Sequence, residues 1–344
     1  TLYLYWQNRA NEQRRYYNMP SGGWSNSEID LFGTGGTPVQ VFVPALQDFT
    51  FFGPGNDAAF GPYSQAQSTG QYQLVLEIRD PAGEGVVNFA NAMFNFVDGI
   101  VPKGGTLGSE TWTANNAYVV GVTDVPAGAV LTIEPGTFVL GDNAGQGRLA
   151  ILPGGQIQAA GSELQPIVFT SEFPRAQRQK GDWGGMALSG NAPCNVDNPI
   201  GEGETGEFCG DNPNDNSGTL SYVRIEYAGI RFTDDNELNC LALQGVGAGT
   251  TLENIQCTEG LDDGFEFFGG TVDAKHLVST ANADDSFDWT EGWTGRGQFW
   301  VAQQRGDDAD QGFECDNNGE NNDLEPRANP QIYNVTLIGA PTNQ

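Results

Sequence analysis

Residues 259–291 read EGLDDGFEFFGGTVDAKHLVSTANADDSFDWTE, and inside them LDDGFEF (261–267) returns as ADDSFDW (283–289), 22 positions on. Two acids, a small residue, a phenylalanine, an acid and an aromatic recur in the same phase. Upstream CLALQG (240–245) and downstream GFECDN (312–317) extend the phase, so Leu241, Phe265, Phe287 and Phe313 form one column at spacings of 24, 22 and 26. Between these segments lie second strands: TLSYVRIEYAG (219–229), TLENIQC (251–257), TVDAKHLV (271–278), GQFWVA (297–302) and QIYNVTLIG (331–339). Further upstream, LTIEPGTFV (131–139) superimposes on LAILPGGQI (149–157) with an offset of 18. Short strands ending in glycine corners at such periods predict a parallel β-helix, in which each repeat stacks on the one before it.

Stacked coils stand about 4.8 Å apart, like neighbouring strands. The register then piles Asp262 on Asp284 on Asp310, Asp263 on Asp285 on Gln311, and Glu266 on Asp288 on Glu314. Alternation along a strand turns Phe265, Phe287 and Phe313 inward and Glu266, Asp288 and Glu314 outward. Like charges at that spacing repel, so the acid columns need backbone donors, protons or cations as partners.

The first hundred residues differ in character. TLYLYW (1–6), PVQVFV (38–43), DFTFFG (48–53), YQLVLEI (72–78) and VVNFANAMFNFV (86–97) read as strands, the last two joined as a hairpin by DPAG at 80–83. This pattern predicts an immunoglobulin-like β-sandwich over 1–100 followed by a β-helix over 101–344: an all-β, two-domain chain. Arg9, Arg14 and Arg15 beside Tyr16 and Tyr17 form its one basic patch, read as a solvated loop. The end at IGAPTNQ, directly after a strand, implies a coil that continues past the sequence.

Charge narrows the partners. With 15 Lys and Arg against 44 Asp and Glu, the net charge is −29, which disfavours nucleic acid and anionic membranes and favours cations. No apolar run has the length of a membrane-spanning helix. Cys194 and Cys209 bracket NVDNPIGEGETGEF, a polar excursion with no apolar pattern of its own, and a disulfide between them would hold it. Cys240 and Cys257 are either a second pair or buried thiols, and Cys315 is left over. The set favours an oxidising, extracytoplasmic setting.

LTIEPGT, PIVFTS, GDWGGMALSGNAP, LQGVGAGTTLENIQ, LDDGFEFFGGTV, DDSFDWTEGWTG and ADQGFECDNNGENND together resemble a family of secreted or surface bacterial proteins with a right-handed parallel β-helix. Its members are often preceded by an immunoglobulin-like domain, and the resemblance implies no particular reaction. Polygalacturonases offer a partial second likeness. They carry Asn-Thr-Asp on one coil and Asp-Asp on the next, then Gly-His-Gly and Arg-Ile-Lys. LDDG and ADDS are similar to the first two and place Asp263, Asp284 and Asp285 where that family holds its carboxylates. The coil due to bring histidine reads ADQG, and the Arg-Ile-Lys equivalent is missing; the lone His276 sits in a strand.

Three roles follow for the acids. They cap the backbone of a corner; or Asp262, Asp284 and Asp310, with Asp316, Asn318 and Glu320 of DNNGENND (316–323), bind calcium; or Asp263, Asp284 and Asp285 serve a glycan-active, inverting hydrolase. Trp289 reads as core, and Trp293, in the turn TEGWTG, as a surface aromatic suited to sugar. The reading adopted is a non-catalytic binding or scaffold protein outside the cytoplasm, bound to protein subunits or surface polysaccharide, with calcium as its cofactor and the glycan-active enzyme as the alternative.

Overall fold

The structure is a computed structural model. It describes the backbone of strands Leu2–Asn8, Arg14–Asn18, Gly23–Ser25, Gly70–Arg79 and Val86–Phe96, and residues 97–340 apart from 98, 175, 176, 234, 235 and 307. The chain divides into two compact units, Thr1–Gly99 and Ile100–Gln344.

In the first unit the five strands form one antiparallel sheet, with Tyr5 opposite Tyr16 on one side and Val75 on the other. Gly70–Arg79 and Val86–Phe96 pair as a long hairpin from Gly70↔Phe96 to Arg79↔Val86. The expected strands at 38–43 and 48–53, and with them the second layer of an immunoglobulin-like sandwich, lie outside the described residues.

The second unit is a parallel β-helix with three sheets. Sheet one stacks Arg148–Ile151, Gly185–Ser189, Leu241–Gln244, Phe265–Phe268, Phe287–Thr290 and Glu314–Cys315. Sheet two takes the first halves, and sheet three the second halves, of Gly218–Glu226, Thr251–Thr258, Ala274–Thr280, Arg296–Gln303 and Gln331–Ile338. One residue bends each of these long strands: Tyr222, Asn254, His276, Phe299 and Asn334 all have φ between 49° and 62°. That left-handed conformation turns the chain from one sheet to the next without lengthening the coil.

The phenylalanine column stacks as expected, Leu241↔Phe265↔Phe287, with ring centroids 5.6 Å apart for Phe265 and Phe287 and 5.3 Å for Phe287 and Phe313. Trp300 closes on Phe287 from sheet three at 4.6 Å. Trp293 is a correction: it is fully buried, 4.1 Å from Phe267, and its Nε1 donates to the Val272 carbonyl at 3.2 Å. Its indole needs an acceptor once buried, and the rim of sheet two supplies one. The offset of 18 is also corrected. Leu131 stacks on Ile157, and Leu149 on Thr123 and Met186, so the two Pro-Gly motifs are different corners of one turn, with the corner at 142–147 between them, and not the same corner of successive coils.

Cys194 and Cys209 are joined, with Cα atoms 5.9 Å apart. Their excursion leaves sheet one after Gly185–Ser189 and packs on its outer face: Phe208 meets Phe268 edge-on, Thr205 Oγ1 reaches Gln244 Oε1 at 2.8 Å, and Gly203 O accepts from Arg148 Nε at 2.6 Å. Ala150, Ala187 and Ala242 form a small column beneath it, their short side chains leaving the room it occupies. Cys240 and Cys257 are buried free thiols, and Cys315 is free and exposed.

Candidate functional site

The acids collect at the corner that carries the chain from sheet three of one coil to sheet one of the next. Here the register read from sequence holds: Glu266 stands opposite Asp288, and Asp288 opposite Glu314. One coil further into the chain, Asp263 Oδ1 accepts the amide of Asp285 at 2.9 Å, and Asp285 Oδ1 accepts the amide of Gln311 at 2.6 Å. Asp263 and Asp285 are therefore corner caps, each fixing the turn of the following coil. They are 8 % and 1 % exposed.

Capping leaves a second oxygen on each. Asp285 Oδ2 is buried with no hydrogen-bond donor, and its neighbours are the carboxyls of Glu314 and Asp284. Three overlapping groups place one carboxylate oxygen from each member within 4.8 Å of the others: Asp262, Asp263 and Asp284; Asp263, Glu266 and Asp288; Asp284, Asp285 and Asp310. Two full charges at that separation repel by about 0.9 kcal/mol in water and about 3.5 kcal/mol at an effective dielectric of 20. Protons or a cation must relieve this.

The proton affinities reflect it. Burial, first of all, raises Asp285 to about 7; Glu314 and Asp284 add to the rise, and the Gln311 amide opposes it. Burial likewise lifts Asp288 to about 6, held down in part by a hydrogen bond from Glu266. Glu266 and Asp263 are raised well above the carboxylate range by burial and then by neighbouring acids, Glu202 foremost for Glu266 and Asp262 for Asp263. Glu266 is the partner that keeps the proton and donates it to Asp288. Asn239, 1 % exposed, donates from Nδ2 to both Glu202 and Glu266 and ties the excursion to the coil.

Of the residues expected to bind calcium, Asp262, Asp284 and Asp310 fall in these groups, the last two exposed. Asp316 and Glu320 belong to none of them. Asn318 holds its own loop, its Oδ1 accepting the amides of Glu320 and Asn321 at 3.0 Å while its Nδ2 donates to Asn195 Oδ1. Asp316 instead faces Glu291, which burial and then Asp316 raise to about 7. The hydrolase candidates Asp263, Asp284 and Asp285 do share the corner. His276 lies on the corner between sheets two and three, stacked on Phe299 at 5.1 Å and 3.6 Å from Glu253.

Sequence reasoning missed Asp285 as a member of the Asp284 and Asp310 group, because it assigned one column to one role. It also missed Glu202 and Asn239. Asn239 lies 24 residues before Asp263, in phase with it, and that spacing was a signal. Glu202 comes from the excursion, where no register applies.

The sequence matches the pectate-lyase-like β-helix domain over residues 105–344, and the chain belongs to that family. No curated protein and no solved structure compared with it matches.

Proposed function

We propose that this chain is a binding or scaffold protein of the pectate-lyase-like β-helix family that works outside the cytoplasm, engages protein subunits or surface polysaccharide, and catalyses no reaction of its own. The observation that carries this reading is the engagement of Asp263 and Asp285. Each holds a backbone amide of the next coil through Oδ1, so one oxygen of each carboxyl is committed to the turn that follows. The histidine sits on another corner, and Lys180 and Arg305, on the rim of the acid corner, pair with Asp308 and Glu259 at 2.6 Å. The disulfide supports an oxidising compartment. Among the described residues no helix is long and apolar enough to cross a membrane.

A second reading, a glycan-active enzyme, draws on the family, which includes such enzymes, and on the meeting of Asp263, Asp284 and Asp285 at one corner. Asp284 has an oxygen within 4.8 Å of one on Asp263 and of one on Asp285, short of the roughly 6.5–9.5 Å that leaves an inverting pair room for its water. Release of reducing or unsaturated ends from a panel of acidic and neutral polysaccharides separates the two. No turnover is expected from the wild type. Turnover abolished by Asp284→Asn at an unchanged melting temperature would establish the enzyme.

A further inference from the structure

We infer that Cys240 and Cys257 are joined by a disulfide that staples a single coil of the β-helix shut, made when the chain folds in the presence of a disulfide donor. The two residues sit at the two ends of one turn. Cys240 immediately precedes Leu241–Gln244 in sheet one, and Cys257 lies in the sheet-three half of Thr251–Thr258, so the corner between those sheets brings them together across 17 positions. Both are wholly buried in the inner core. Cys240 Sγ donates to the Ile225 carbonyl at 3.6 Å, Ile225 is the residue on which Cys257 stacks, and the Cys257 thiol is hydrogen-bonded to Cys240. The next coil repeats the juxtaposition with other atoms. Its register sets Gly264 on Cys240 and Ser279 on Cys257, and a Cβ at Gly264 would lie 2.5 Å from Ser279 Oγ. Side chains at these two places therefore point at each other, and in this coil both are cysteines.

Closing the bridge removes two electrons and two protons from the pair, and the donor disulfide accepts them. One thiolate attacks a donor sulfur, the donor S–S bond breaks, and one donor thiol leaves. The second thiolate attacks the resulting mixed disulfide, forms the Cys240–Cys257 bond and expels the other donor thiol. In the closed coil neither sulfur meets water, and burial, followed by the hydrogen bond to Cys240, pushes the Cys257 thiol well above its usual range. A thiol so placed is a poor nucleophile, so the exchange belongs to folding, before the coil closes. The bridge then fixes the corner at which the Cys240 amide donates to the Asp263 carbonyl at 2.9 Å. The extracytoplasmic setting proposed above supplies such donors, while the pairing itself rests on the geometry.

The experiment is disulfide mapping of the intact chain directed to the oxidising periplasm of a bacterial host, so that its outcome does not depend on where the protein naturally works. Free thiols are alkylated with iodoacetamide in guanidinium chloride, and the unreduced peptides are read by mass spectrometry. Cys240–Cys257 is expected beside Cys194–Cys209, with Cys315 as the alkylated cysteine. Recovery of Cys240 and Cys257 in alkylated form, or of either joined to Cys315, overturns the inference. In the chain carrying Cys194→Ser and Cys209→Ser, Cys240–Cys257 is the bridge that remains. Dithiothreitol should there raise the unfolding equilibrium constant by about hundredfold, the effect of opening a loop of this size. An unfolding midpoint that the reductant leaves in place overturns the staple.

Discussion

Asp285 and Phe287 stand two residues apart, one in the corner and one opening the strand that follows it, and they answer to different forces. Phe287 is fully buried between Phe265, Trp300 and Phe313. Replacing it with alanine empties one rung and should cost about 3–5 kcal/mol in denaturant unfolding. Asp285→Asn keeps the cap and trades a repelled charge for an amide, so its cost should stay below about 1 kcal/mol. The reverse order would mean that the acids, not the aromatic column, hold the coils together. Titration gives a second test at this scale. Folded Asp285, Asp288 and Glu291 keep their protons up to about pH 6–7, whereas the unfolded chain releases them near pH 4. The folded state then binds more protons in that window. Its stabilisation is complete below about pH 4 and is lost as pH rises through about 6–7. The melting temperature should therefore fall between pH 5 and pH 8. A melting temperature that climbs over this interval would show that the corner carries its charges without strain.

The excursion and the one-residue corners are the elements whose behaviour separates most clearly from the rest. The Cys194–Cys209 segment rests on sheet one through Phe208, Thr205 and Gly203, yet contributes no strand to the three stacks. Opening the disulfide by Cys194→Ser with Cys209→Ser should remove up to about 3 kcal/mol, the value for a loop of about 15 residues, while the far-ultraviolet dichroism of the coil stays as it was. Collapse of that signal would make the excursion part of the solenoid. The bridge was legible from sequence because a polar segment between two cysteines had nothing else to hold it. The five corners were not. Asn254 and Asn334 are the residue type that tolerates a left-handed φ, but Tyr222, His276 and Phe299 share the conformation and look like strand interior. Tyr222→Asn, at a half-exposed ring, should leave stability unchanged or raise it by up to about 1 kcal/mol, read from the denaturation midpoint. A loss above that would assign the ring a packing role.

Across the molecule, what was legible in the sequence was the part ruled by period. The column from Leu241 to Phe313 and the pairing of Glu266, Asp288 and Glu314 follow from spacing alone, because a stacked coil converts separation along the chain into contact. What escaped was set by parts without a period. Glu202 reaches Asn239 across 37 residues from a loop, and Asn239 donates in turn to the buried Glu266. The capping bonds of Asp263 and Asp285 were among the expected roles, but their second oxygens acquire meaning only where neighbouring coils crowd them. The 18-residue match failed for the same reason, since a corner motif used twice in one coil imitates a period.

The single-residue bend between sheets two and three acts as a reading frame for the solenoid. One residue added or removed there moves the downstream strand by one position, and with a side-chain period of two every inward residue becomes an outward one. Leu277 and Trp300, buried beside His276 and Phe299, would be presented to water in such a frameshifted coil. The corner between sheets one and two obeys no such arithmetic, since it already admits the whole segment from residue 190 to 217 before Gly218–Glu226 resumes the stack. Foreign peptide spliced at the second corner should thus be carried as cargo, and a single codon spliced at the first should be read as nonsense by the fold.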